Sequence, residues 1–411
     1  MSRRAGFVFI LLAGCSSTTA APPPELLAGV GMVDLTPARP VPLGGYGARQ
    51  GKPMEGVHDP VYAKALWLET PTARVCLVAT DLVGTSLDMR DAVRPADAPL
   101  VLAASHTHSS LGALAPGFWQ LAMGPFDAAL RDETVAKIRQ AVAAARASLR
   151  PARLAFARTD IPGLSRNRRS PSGPVDPELG LMVVLDVRSR PMALVATFAA
   201  HATILPDRAR LLSADWPGAF QRALEARAGC PVLYLNGAEG DVAPRAPGGT
   251  GDFGRVEAMG AALAERAASL LPGIEKRAVR GTIRYVERGV DLPSPTLPSH
   301  PTRSVLALLE LGGTRMFCVP GEPCAALGLE LKKRFPGAWV VGLANDHLGY
   351  FLTEEDYRAG GYERMMSFYG PTMGPWLVDE LSKLGGGDHA EDRSGQSEGG
   401  RREDDHRRQP Q

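Results

Sequence analysis

Net charge is nearly absent from this chain: 46 Lys and Arg stand against 44 Asp and Glu, leaving +2 over 411 residues. Basic residues form no aromatic-studded stripe either, so no electrostatic case exists for a nucleic-acid partner, and that class is set aside. Long apolar runs are lacking too. The run Phe7 to Leu12 is too brief to span a bilayer as a stable helix. An apolar share of 45% is too low for a multi-span membrane protein but ample for a sizeable core. No internal repeat, coiled coil or domain-scale linker interrupts the chain. Its length suggests one large domain or two modest ones.

The N-terminus carries a targeting pattern. Arg3 and Arg4 precede the short apolar run, which ends Leu12-Ala13-Gly14-Cys15 and leads into Ser16-Ser17-Thr18-Thr19 and prolines up to Pro24. This resembles a bacterial lipoprotein signal with its lipobox. Small residues would admit the peptidase before Cys15, whose thiol then takes a diacylglycerol, and two or more acyl chains make a stable membrane anchor. The alternative is an ordinary secretory signal cleaved near Ala20 or Ala21. The lipobox implies a lipid-anchored protein of the bacterial cell envelope, and Ser16, where Asp is absent, favours the outer membrane. Residues 1–15 are then the signal and lipobox, 16–27 a tether, and 28–384 the folded domain. Residues 385–411 contain no Val, Leu, Ile or aromatic residue, cannot bury enough to offset chain entropy, and read as a disordered tail.

Cysteine is scarce: five in all, of which Cys76, Cys230, Cys318 and Cys324 remain after the lipobox. An exported chain could pair these four in three ways. Three of them stand in apolar strand-like or helix-end contexts, so buried free thiols are expected.

Between tether and tail, apolar strand-like runs alternate with helical stretches. Strands are expected at residues 66–68, 75–82, 100–104, 153–157, 181–187, 193–199, 232–235, 304–311, 316–319 and 339–343. Helices are expected where Val135, Ile138, Val142, Ala145 and Leu149 keep one face, and over 217–227, with Asp215 as its cap and Gly229 as its stop. Others cover 256–271, 324–335 and a short segment near 376–384. The interleaving predicts an α/β fold, a mixed β-sheet core flanked by helices.

The unusual polar residues stand where these strands stop. Leu100 to Ala104 ends in Ser105-His106-Thr107-His108-Ser109, and Ala193 to Ala200 ends in His201. Met316 to Val319 ends in Pro320-Gly321-Glu322, and Trp339 to Leu343 leads into Asn345-Asp346-His347-Leu348-Gly349-Tyr350. In α/β folds, ligand-binding groups gather beyond the strand ends. Two neutral histidines with a carboxylate suit Zn²⁺ and leave room for water or substrate. In an extended His-x-His both rings point to one side, so both His106 and His108 could ligate, or one could ligate while the other works on substrate.

Several blocks, in order, resemble the N-terminal catalytic domain of the neutral/alkaline non-lysosomal ceramidases. They are Gly29 to Pro37 with Gly44-Gly45-Tyr46-Gly47, then Gly56-Val57-His58-Asp59-Pro60, Ser105 to Ser109 and Asn167-Arg168. His201-Ala202-Thr203 with Ser213-Ala214-Asp215 follows, then Asn236 to Pro244, Pro320-Gly321-Glu322, and Tyr350 through Tyr357 to Tyr362-Glu363. The resemblance implies zinc ligands at His106, His201, Glu322 and Tyr350, with His108 beside the metal. It also implies Arg168 and Tyr362 facing the substrate carbonyl, where they would stabilise an oxyanion. The plainer alternatives are a surface charge for Arg168, flanked by Arg166 and Arg169, and a half-buried packing residue for Tyr362.

The implied activity is zinc-dependent hydrolysis of a linear amide, N-acylsphingosine or another N-acyl lipid, by a metal-activated water. One departure bears on it. The family's Gly-Asp-x-Ser-Pro serine is Ala243 here, so a serine acyl-enzyme at that position is excluded. The alternatives are a zinc hydrolase of a different ester or amide, with Ser105, Ser109 or Ser110 as nearby substitutes for the missing hydroxyl, or a non-catalytic zinc-containing envelope lipoprotein. A second departure is length: after the matched region there is no room for the family's immunoglobulin-like C-terminal domain.

Overall fold

The computed structural model describes residues 26–386. The lipobox, Cys15 and most of the tether lie outside the described residues, as does the segment 387–411.

A nine-stranded mixed sheet forms the larger layer. Eight strands run in the order Val232–Asn236, Pro191–Phe198, Glu178–Asp186, Arg150–Asp160, Leu27–Asp34, Tyr62–Glu69, Arg74–Thr80 and Leu100–Ala104, and Ala278–Val279 pairs beside Arg150–Asp160. Most neighbours are antiparallel. The end pairs are parallel: Val232–Asn236 with Pro191–Phe198, and Leu100–Ala104 with Arg74–Thr80. A second sheet holds Ile283–Asp291, Arg303–Leu311, Thr314–Cys318 and Trp339–Val341, the last two parallel.

Period-two patterning gives each strand two apolar faces, and the layers follow from that. On the outer face of the large sheet, Ile138, Ala141 and Ala145 of helix Ala128–Ala147 meet Trp67, Leu100 and Leu102. Helices Asp215–Ala228 and Gly251–Ala268 cover the other half, where Phe220, Leu224 and Leu263 pack with Leu181 and Leu194. The inner face, through Leu66, Leu77, Val101 and Leu233, meets Leu309, Met316 and Trp339 of the second sheet. Leu306, Leu308 and Phe317 point the other way, onto Leu327, Leu331 and Leu377 of helices Ala325–Arg334 and Met373–Gly386. The order is helix, sheet, sheet, helix: the expected mixed α/β core with flanking helices.

Fully buried Trp216 ties this core to the strand ends. Its ring packs on Phe198 and Tyr234, and Nε1 donates to the His201 carbonyl at 2.8 Å. Cys76, Cys230, Cys318 and Cys324 are free and buried. Asp215 does not cap its helix as expected. Ala214 is the N-cap, while Asp215 adopts a left-handed φ of 53° and accepts from the amides of Trp216 and Leu205. The last helix also outruns its expected bounds, covering Met373–Gly386.

Candidate metal centre

Three bridges bring the strand-end segments together. Thr107 pairs with Ala202, Ala103 with Ala344, and Glu322–Pro323 with Tyr350–Phe351. His106 and His201 therefore arrive from the large sheet, and Glu322 and Tyr350 from the ends of the small one. The His-Thr-His motif is not the extended strand its spacing suggested, because His106 turns to a left-handed φ of 67°. Its two rings still converge, nearly perpendicular, with Nε2 atoms 3.2 Å apart.

The tautomers of two imidazoles follow from their partners. His106 Nδ1 lies 2.5 Å from the Val83 carbonyl, and His201 Nδ1 lies 2.7 Å from that of Glu239. A carbonyl can only accept, so each Nδ1 carries the proton and each Nε2 turns a lone pair inward. Both Nε2 atoms face Oε2 of Glu322, at 3.2 and 3.1 Å. His201 Nε2 also lies 3.0 Å from the Tyr350 hydroxyl.

Bare lone pairs facing a carboxylate oxygen call for a cation between them. Glu322 Oε2 is buried and has no hydrogen-bond donor. Ligand atoms about 2.0 Å from a tetrahedral zinc lie roughly 3.3 Å from one another, close to the separations found here. His106, His201, Glu322 and Tyr350 fit such an ion. His106, His108 and His201 also form a group that could hold a metal, with one ring nitrogen of each lying within 4.8 Å of the others.

Electrostatics agree with that fit. Burial, then the nearby Arg168, takes His201 down to about 4, so it is neutral and ready to ligate at neutral pH. Burial also holds His108 well below the ordinary imidazole value, reinforced by His106 and His201. Burial alone would raise Glu322, but positive charge and hydrogen bonding at its imidazole neighbours, His106 first, bring it well below the usual carboxylate range, the direction in which a cation there would also act.

Arg168 is no free surface charge. Its Nε donates to Glu363 at 2.7 Å, and one terminal nitrogen donates to the Gly240 carbonyl and to the Tyr350 hydroxyl at 2.9 and 3.1 Å. Burial works against that charge, and Tyr350 and Glu363 more than offset it. Tyr362 sits at the rim, 51% exposed, its ring edge-on to Tyr350 at 6.0 Å. Together with Trp119, Met366, His106, Glu322 and Tyr350 it bounds an opening of about 30 Å³.

Ala243 lies on a short strand opposite Arg166. Ser105, Ser109 and Ser110 are buried, and none of them lines the opening.

His347, on the same segment as Tyr350, also reaches the centre, a role its place in the strand-end pattern does not by itself reveal. Its Nε2 donates to the second oxygen of Glu322 at 3.0 Å, and its ring stacks on Trp119 at 4.3 Å. Glu239 also escaped notice. It is fully buried with both oxygens unpartnered, and burial with the charge of Glu322 lifts its pKa well above the carboxylate range. Nothing in a lone Glu between Ala238 and Gly240 signals such burial.

The remaining motif residues build the frame. Gly45, at φ 100°, packs against the His108 ring, where an added Cβ would come within 2.4 Å of Cγ. Asn167 donates to Asp241 at 2.7 Å, and Asp241 in turn receives the amide of Ala325 at the start of the helix after Glu322.

The chain is similar in fold to the crystal structure of neutral ceramidase from Pseudomonas aeruginosa, with a TM-score of 0.79 at 19% identity, covering 88% of this chain and 74% of that one. A structure described as ceramidase complexed with C2 gives 0.79 and 19% identity over 87% and 74%. No curated protein matches the sequence. Residues 26–253, which include His106, His108, Arg168 and His201, match the family model of neutral/alkaline non-lysosomal ceramidase, N-terminal. The chain belongs to the neutral/alkaline non-lysosomal ceramidase family.

Proposed function

We propose that the protein is a zinc-dependent hydrolase of linear amide bonds acting on an N-acyl lipid, with N-acylsphingosine as the first candidate. The observation that carries this is the convergence of two imidazole Nε2 atoms on one buried carboxylate oxygen, 3.2 and 3.1 Å away, with each Nδ1 turned to a backbone carbonyl. Two imidazoles with one carboxylate and one phenol favour zinc over magnesium or calcium. When bound, the ion supplies Lewis acidity and lowers the pKa of a water.

The chain's own residues do the rest. His108, neutral and without a partner at Nδ1, stands where a proton can be taken up and returned. Arg168 is held rigidly by Glu363 and the Gly240 carbonyl, so its charge is already in place when negative charge develops on the substrate carbonyl oxygen. Tyr362 offers a phenol from the outer side of the opening, and the Trp119 ring limits water there. Ala243 brings no nucleophile, which leaves water as the attacking group.

The test joins metal analysis to turnover of a fluorescent ceramide. About one zinc per chain is expected, lost together with activity in His106→Ala and His201→Ala. Full activity in metal-free protein would overturn the proposal. Ala243 itself favours a second reading, the same centre acting on another ester or amide or not catalysing at all. A panel of N-acyl amides and esters separates these. Anchoring through lipidated Cys15 in the bacterial envelope belongs to the same proposal, and a Cys15→Ser chain that stays on the membrane would overturn that part.

A further inference from the structure

Next to the metal centre lies a larger cavity of about 360 Å³. Trp119, Met123 and His347 line both spaces, so the two adjoin. Met89, Leu114 and Phe118 make much of its wall apolar. Of the polar residues in that wall, two carry buried atoms without a partner. Thr85 Oγ1 is buried without a hydrogen-bond partner, and so are both ring nitrogens of His300. The two residues are 3% and 6% exposed. The His300 ring is fixed between Phe368, at 4.0 Å, and Phe118, at 5.3 Å. Each such group left unpaired costs stability, and ligand sites are where proteins keep them.

We infer that this cavity is a substrate subsite for an uncharged, hydroxyl-bearing apolar chain, with His300 and Thr85 as the groups that recognise the hydroxyl. A hydroxyl both donates and accepts, which suits an imidazole and a threonine together. The charged residues lining the cavity are Asp88 and Asp346, with no Lys or Arg, so an anionic group is disfavoured there. The cavity's size lies within the range of small-molecule pockets, and its position puts the chain's far end beyond Trp119 when the amide stands at the metal. The inference rests on the amidase reading for its kinetics but not for its binding.

Two measurements test it. The first is binding alone: histidine-labelled protein, its His300 ring resonance assigned with a His300→Gln variant, is titrated with 1-octanol and with the matching methyl ether. The alcohol should shift the His300 resonance at lower concentration than the ether. Equal response, or none, overturns the inference and leaves His300 satisfied by water. The second compares N-octanoyl amides with and without a hydroxyl along the acyl chain. The ratio of kcat/KM, hydroxylated to plain, should fall about tenfold or more in both His300→Phe and Thr85→Val. An unchanged ratio in both, with thermal melts showing folded protein, overturns the recognition role. Alcohol binding at His300 with no hydrolysis of either amide would support the subsite while sinking the amidase reading.

Discussion

His106 and His201 turn their Nε2 atoms toward the same oxygen of Glu322, from 3.2 and 3.1 Å. Backbone carbonyls on the opposite side of each ring, from Val83 and Glu239, dictate that orientation. The carboxylate is fixed in the same way. His347 occupies its other oxygen, so only Oε2 is free for the centre.

His347→Ala should therefore weaken metal binding by roughly 10- to 100-fold, although His347 is not among the proposed ligands. His347→Gln retains a donor and should recover part of the loss. Competition with a zinc chelator measures both. Wild-type affinity in His347→Ala would show that Glu322 needs no such support.

Arg168→Gln should lower kcat by about 10²- to 10³-fold with a smaller effect on KM, the mark of a donor that acts on developing charge. Arg168→Lys should not rescue it, because a single ammonium cannot hold Glu363, Gly240 and Tyr350 together. Tyr362→Phe, at the more exposed rim, should cost about tenfold. Steady-state kinetics on the best amide found would decide, and a pure KM effect in Arg168→Gln would refute the assignment.

Ala243→Ser restores the hydroxyl that the family carries. A rise in turnover of a fluorescent ceramide with unchanged zinc content is the expected result if that hydroxyl limits the reaction. No change would show that water attack proceeds without help from this position.

Asp215 makes stability depend on pH in an unusual direction. Burial pushes its carboxyl up to about 6, against the pull of amide hydrogen bonds from Leu205 and Trp216. An unfolded aspartate ionises near pH 4. Below that both states hold the proton. Between about 4 and 6 only the unfolded state releases it, so stability falls as pH rises and levels off above 6. The loss is on the order of 3 kcal/mol. Asp215→Asn tolerates the left-handed backbone and has no proton to lose. The stability difference between wild type and variant, from urea melts at pH 4 and pH 7, should shift in favour of the variant at the higher pH.

Much of the layer structure was legible because strands such as 181–187 and 304–311 are plainly apolar, and their ends visibly turn polar. Two of the longer strands were not. Leu27–Asp34 carries Gly29 and Gly31, which look like loop residues. They are glycines because helix Ala128–Ala147 crosses so closely that a Cβ would meet the carbonyls of Ala145 and Ala141 at 2.1 and 2.2 Å. Ile283–Asp291 hides behind Arg284, Glu287 and Arg288, since it forms an edge of the small sheet and only partly buries its side chains. At the centre, strand ends and the resemblance together pointed to the residues that converge. His347, Glu239 and the orphan pair Thr85 and His300 stayed hidden, because burial without a partner is a property of the packed chain.

The proposed ligands are divided between two sheets, His106 and His201 on one and Glu322 and Tyr350 on the other. No single segment can hold the ion, and positions as far apart as 106 and 350 must meet before a seat for it exists. Capture of the proposed ion is accordingly expected late in folding, with the ion acting as a clasp across the interface between the sheets. A chelator should then act as more than an inhibitor: it should let the two halves of the molecule slacken against each other, visible as faster amide exchange along the Ala103–Ala344 seam.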